Sequence, residues 1–438
     1  MDSFAASPRL AVDRRLLGLL LLVHTVVLCV SSSWAINSFP GVLEYDSSHL
    51  LPAILNVSIF ALVTVLFVYA QFSFGYVVSF YFYTMIAGYL WLIEFSLLSY
   101  HHRLAQISIV LSGLAFVLPA LFITSPIRHR FVMSANTFDK LLSLILFLGT
   151  ATVAVGAVYN FRLIGLSEIY IYRAEIEFPA PVRYAIGISS NALLPFAFAC
   201  FVDRKFYWRA GISLALLLLL YPITLTKLTL FAPLWLLFLA LLSRLTHART
   251  ATILSLLLPM LIGIILFLLT RAGAIPSGYG LLYAGIVNGR LIAMPSVALE
   301  VYNNFFSEHV LTYFCQVKVS KLVMTCPYDE PLSVVMSKAY QLGAFNASLF
   351  ATEGIASLGP TLAPLSAFGC GLVIALANRV SSGLSPRFIL LSAGLLPHVL
   401  LNVPLSTTLL TNGAALLFLL WYVAPRAAMT APRQPPEH

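Results

Sequence analysis

The sequence predicts an all-α polytopic membrane protein with about 12 transmembrane helices and two enlarged periplasmic loops. Three observations carry this expectation. Of 438 residues, 60% are apolar and only 9% charged, whereas a soluble domain carries roughly 25% charged and 45–50% apolar residues. The mean hydropathy is +0.94, so the chain cannot cover its surface for water. The apolar residues also come in solid runs rather than in the alternating ten-residue segments of a membrane barrel. At about 20 residues per span, there is room for roughly 10–13 helices.

The runs and their breaks place twelve spans. They lie near Leu16–Ile36, Leu50–Ala70, Tyr76–Tyr100, Ile107–Thr124, Leu141–Tyr159, Ala185–Val202, Ile212–Thr226, Leu228–Leu245, Thr252–Thr270, Thr361–Asn378, Phe388–Val403 and Thr407–Val423. The first is long enough to remain as a span rather than to be cleaved as a leader. The whole chain, 1–438, reads as a single polytopic unit, with the Pro-rich tail 431–438 disordered.

Charge sets the orientation, because cytoplasmic loops collect Lys and Arg. With the N-terminus inside, the inner segments hold fifteen basic residues against five acidic ones, net +10, and the outer segments hold ten of each, net 0. Glu94, within the third span, accounts for the remaining −1 of the total of +9. Both termini are therefore expected in the cytoplasm of a bacterial inner-membrane protein. The basic balance is an orientation signal, which leaves no nucleic-acid partner to explain it.

Two outer segments are too long for turns, and long loops tend to be functional. The first, 160–184, sits in YNFRLIGLSEIYIYRAEIEFPAPVRY and carries Arg162, Arg173, Arg183, Glu175, Tyr170 and Tyr172. Guanidinium groups bind phosphates bidentately, and tyrosine offers a flat apolar face with a hydroxyl. The same charges also suit an amphipathic interfacial helix that pairs them locally. The second segment, 271–360, is 90 residues long and is expected to carry membrane-surface helices. It holds Arg290, Glu300 and Tyr302 in NGRLIAMPSVALEVYNNFFSEH, and Glu353 just before the tenth span. Lys227 stands at the outer end of two spans, where a base either faces a cavity or snorkels to the headgroups. Cys315 and Cys326, in the second loop, suit a disulfide if that loop faces an oxidising compartment. They lack the further ligands a metal would need, so no metal and no cofactor are expected.

The stretches TLTKLTLFAPLWLLFLALL and ASLFATEGIASLGPTLAPL, the span count and the two arginine-bearing outer loops carry a family likeness. The chain resembles the Wzy-type O-antigen or oligosaccharide repeat-unit polymerases, relatives of the O-antigen ligases. The histidine-rich loop of the ligases is absent, which points to the polymerases. The resemblance implies a donor glycan on polyprenyl pyrophosphate, transferred outside the membrane to an acceptor hydroxyl, with membrane lipids around it and a chain-length-regulating co-polymerase as a further partner. Under that implication Arg162, Arg173, Arg290 and Lys227 would clamp the leaving pyrophosphate. Arg183, Tyr170, Tyr172 and Tyr302 would contact substrate. Glu353 would be the base, with Glu175 and Glu300 behind it. A transporter or flippase of lipid-linked glycans is the competing class.

The orientation is testable by cysteine labelling in intact cells. An impermeant thiol reagent should label Ser333→Cys and leave Ser382→Cys untouched; the reverse pattern inverts the topology.

Overall fold

The computed structural model describes residues 13–165, 168–173, 175–317, 320, 324–342 and 347–426. The predicted tail 431–438 lies outside them, as does the side chain of Tyr170. Eleven described helices are long and apolar enough to cross a membrane, and the protein is an all-α, multi-pass membrane protein. They are α1 (Arg14–Ser38), α2 (Ser47–Tyr69), α3 (Phe74–Phe95), α4 (His102–Phe122), α5 (Ala135–Tyr159), α6 (Ala180–Asp203), α7 (Tyr207–Thr224), α8 (Lys227–Leu245), α9 (Ala248–Arg271), α10 (Gly278–Glu308) and, after the short α11 (Leu332–Tyr340), α12 (Phe350–Ser381). Four short helices close the chain: α13 (Pro386–Ser392), α14 (Leu396–Asn402), α15 (Leu405–Leu410) and α16 (Ala414–Val423).

Hydroxyl residues start several of these helices by accepting a backbone N–H that the first turn would leave unpaired. Ser73, Ser134, Thr226 and Ser385 do so for α3, α5, α8 and α13. The helix α3 lies at the centre of the bundle, buried from Phe74 to Ile93. Three of its hydroxyls find partners on other helices, Tyr83 with Thr25, Thr84 with His24 and Tyr81 with Ser255. Such pairing is what membrane burial of polar groups requires.

The described chain begins and ends at one end of the bundle, here the terminal end. Arg14 lies over Tyr69, Arg249 donates to the carbonyls of Val68 and Ala70, Phe74 packs on Trp421, and Arg426 bonds His129. The opposite end carries the long loops.

Two of the long apolar helices are not simple crossings. The sequence places 278–308 in a surface loop, yet α10 is a helix packed among the spans, because its runs GLLYAGIV and LIAMPSVALEV are apolar enough to be buried. Both its ends meet residues of the long-loop end, Thr270 beside Gly280 and Ser99 for Asn304, while its middle meets residues halfway down their helices, Met260 for Asn288 and Met85 for Ser296. It dips into the bundle and returns, bending at its wide-turn segment Gly285–Ala293.

The second is α12, which is two arms. Gly359, at φ 72° and ψ 169°, breaks it. The first arm starts deep, where Phe350 packs on Phe82 and Phe116, and rises to Ala356, whose carbonyl accepts the N–H of Thr312. The second arm descends beside α4 from Pro360, near Ser108, to Asn378, which bonds the carbonyl of Ala120 and the N–H of Gly75. The expected tenth span is this second arm, and the first arm is a re-entrant addition to it.

The last two expected spans also differ. The stretch 386–423 is a broken hairpin that turns back inside the bundle. Asn412 accepts from Asn191, and Gly187 lies against the Thr411 carbonyl. These α6 residues are about 10–16 Å below the start of that helix at 1.5 Å per residue.

Gly359 takes a conformation essentially confined to glycine. An added Cβ there meets only Leu311, at 3.5 Å, so strain rather than collision decides the outcome. Gly359→Ala should cost about 1–3 kcal/mol and lower the unfolding midpoint in scanning fluorimetry. Gly211→Ala, at a helical position with open space around it, should be neutral or slightly stabilising.

Candidate functional site

The break between α14 and α15 leaves backbone groups without helical partners at membrane depth. Such a break is tolerated only where protein or a water-filled cavity satisfies it. Glu353, on the re-entrant arm, reaches across and accepts the N–H of Leu405 through Oε2 at 2.9 Å and that of Ser406 through Oε1 at 2.8 Å. The thiol of Cys370 lies 3.9 Å from Oε2. Around this contact Asn402, Ser406, Thr407, Thr411 and Asn412 keep part of their surface open although the turn stops short of the long-loop rim. Polar residues left partly open at that depth tend to face a cavity or a partner rather than lipid.

Glu353 is 7% exposed. It caps a helix start, but of α15, across the bundle, and not of its own span. The side chains of Ser406 and Cys370 also hydrogen-bond this carboxylate, so donors from the broken turn and from the second arm of α12 hold it in place.

The rim above α6 is the first long loop. Arg162 forms an ion pair with Glu175 at 2.8 Å, and its guanidinium carbon lies 5.3 Å from the centre of the Tyr172 ring. The loop is seated on the turn between α7 and α8. The Arg162 N–H donates to the carbonyl of Pro222, Asn160 donates to Pro222 and Ile223, and the Tyr221 hydroxyl donates to Ile164. Leu225 adopts φ 48° to make this turn, and half-buried Lys227 opens α8 on its far side. Residues that the sequence places in two separate segments thus share one corner: Arg162, Tyr172, Glu175 and the Lys227 turn. Arg173 and Arg183 are exposed nearby in the chain, Arg173 ending a one-turn helix and Arg183 in the first turn of α6.

Other expected residues lie elsewhere. Arg290 is exposed on the wide-turn segment of α10, which packs on α1, α3 and α9. Tyr302 is 1% exposed and packs on Phe306, so its ring offers no face to a sugar; the apolar run that buries α10 takes it inside. Glu300 on the same helix is fully buried and accepts a hydrogen bond from Tyr100, which gives it a place inside the helix packing rather than on a loop surface. Beyond it, Tyr340 donates to Asn304 at 2.5 Å. Burial, then the carboxylates of Glu308 and Glu300, push the Tyr340 phenol up to about 12, so it remains a donor at neutral pH. Cys315 and Cys326 form a disulfide, with Cα atoms 5.2 Å apart.

Among the described residues no group of three or more His, Cys, Asp or Glu side chains is placed to hold a metal. The segment Asn402–Gly413 (NVPLSTTLLTNG) is absent from the expected site. Its signal was Pro404 followed by a polar run inside an apolar stretch, which marks a break rather than a span end.

Glu353→Gln replaces one acceptor oxygen by an NH2 group facing a backbone N–H. The variant should lose about 1–3 kcal/mol, read as a lower thermal midpoint, whereas Glu353→Asp should retain part of the contact. No known protein family, no curated protein and no solved structure matches this chain.

Proposed function

We propose that this protein is a periplasm-facing polymerase of the bacterial inner membrane, with both termini cytoplasmic. It transfers a polyprenyl-pyrophosphate-linked oligosaccharide onto the hydroxyl of an acceptor repeat unit. The observation that carries this reading is the Glu353 carboxylate, held on the broken turn beside the partly open Asn402, Ser406, Thr407, Thr411 and Asn412, with the Arg162–Tyr172–Glu175 corner in the loop that leads into α6. The resemblance of the sequence stretches containing Lys227 and Glu353 to the Wzy-type polymerases supports it.

In this reading the acceptor oxygen attacks the anomeric carbon, the bond from that carbon to the pyrophosphate oxygen breaks, and the pyrophosphate leaves with the electron pair. The proton passes to Glu353. Arg162 is suited to receive the leaving group because its pair with Glu175 is exposed. Such pairs contribute only about 0–1 kcal/mol, so the guanidinium can exchange its partner for a phosphate at little cost. Lys227 adds a second cation from the same corner, and the Tyr172 face can carry a sugar ring.

A transporter or flippase of lipid-linked glycans is the second reading. One observation favours it: a re-entrant arm and a broken hairpin meet at mid-depth, as substrate sites do in many transporters.

The test is elongation of a lipid-pyrophosphate-linked repeat unit by protein in proteoliposomes. Arg162→Gln and Lys227→Gln should each lower turnover roughly 10²–10³-fold, by analogy with loss of one oxyanion donor. Glu353→Gln should lower it about 10²–10⁴-fold while donor binding survives. Translocation of the lipid-linked glycan without elongation would instead establish the second reading.

A further inference from the structure

On another flank of the bundle, α2 and α4 both pack on α3 and leave a furrow between them. It is an open groove of about 560 Å³, with Leu90 of α3 among its lining residues. Ile59, Leu62 and Leu66 form one wall, and Ile107, Leu111 and Leu114 the other. Leu62 is 70% exposed and Leu111 49%, so the groove opens to the membrane. It spans about 12–15 Å along the helices, from Asn56 and Gln106 inward.

Its mouth is polar. Asn56 and Gln106 both donate to Oε1 of Glu94, at 2.6 and 2.5 Å, which ties α2, α3 and α4 together where the groove begins. One turn beyond stands Arg103, in the first turn of α4. It lies four, eight and eleven positions before Ile107, Leu111 and Leu114, on the same helix face. Arg103 is exposed and forms no ion pair with a described residue. The amides occupy the Glu94 carboxylate on the helix side, and the guanidinium is left towards the headgroup level.

We infer that this groove holds the isoprenoid chain of a polyprenyl pyrophosphate, with its phosphates on Arg103. The inference rests on the proposed polymerase reading and adds where one lipid-linked substrate docks. A single furrow between two helices takes one hydrocarbon chain, whereas a phospholipid brings two. A cation at the mouth complements the pyrophosphate, and an arginine binds phosphate bidentately. The place suits a substrate, because α4, which forms one wall of the groove, packs against the second arm of α12.

The experiment uses the full chain in nanodiscs of phosphatidylethanolamine and phosphatidylglycerol. The probe is a polyprenyl pyrophosphate with a photoreactive diazirine near its head, and adducts are mapped by mass spectrometry. Adducts should fall on 59–66 and 107–114, and excess phosphatidylglycerol should not compete. Leu62→Trp, which fills the exposed wall without touching the packed faces, and Arg103→Gln should each cut labelling about tenfold, as expected for one charge-assisted contact in the second case. Adducts confined to other helices would overturn the groove assignment and leave the polymerase reading standing. Equal competition by phosphatidylglycerol would show an ordinary lipid site and overturn it too. No adducts anywhere on the protein would overturn both.

Discussion

The carboxylate of Glu353, holding the N–H groups of Leu405 and Ser406, is the contact on which the unusual half of this fold depends. Besides α10, two segments enter the bundle without crossing it, the first arm of α12 and the hairpin 386–423, and a break at such a depth leaves backbone groups where lipid offers no partner. One carboxylate satisfies the broken end of the second segment from the middle of the first. The two irregular pieces are thereby tied to each other.

The surrounding frame is more conventional and explains why the irregular pieces can be held. The buried helix α3 carries polar groups of which Tyr83 and Thr84 are paired to α1 and Tyr81 to α9. Gly75 on α3 and Asn378 on α12 bring α3, α4 and α12 together, since Asn378 bonds the N–H of Gly75 and the carbonyl of Ala120, each at 2.7 Å. An added Cβ at Gly75 would stand 2.0 Å from the Ala120 carbonyl oxygen, so the closeness of α3 and α4 is itself conditional on glycine. That anchor fixes the descending arm of α12, and with it the position from which Gly359 turns the chain towards Glu353.

The proposed chemistry distributes charge in the way the fold permits. Cations sit where water can reach them: Arg162 and Lys227 by the α7–α8 turn, Arg103 at the start of α4. The carboxylate sits deeper, held by backbone donors rather than by a cation. A leaving pyrophosphate and a deprotonated hydroxyl need opposite environments, and separating the two along the depth of the bundle supplies both. The groove on α2 and α4 extends the same logic to the lipid part of a substrate, placing hydrocarbon against hydrocarbon and phosphate against arginine.

The sequence by itself determined the all-α membrane architecture and most spans, because burial of a run of about 20 apolar residues is a local property. It also marked Arg162, Tyr172, Glu175, Lys227 and Glu353 by composition and spacing. Hydropathy could not separate a crossing from a helix that dips and returns, so 278–308 read as loop and Glu300 and Tyr302 read as surface residues. Nor could it show that NVPLSTTLLTNG breaks a hairpin midway, since the partner that makes the break tolerable is 52 residues away from Leu405. Only the tertiary structure decided that the Arg162 loop and the Lys227 turn share a corner and that Glu353 serves a different helix from its own, because each depends on contacts between segments that no local pattern encodes.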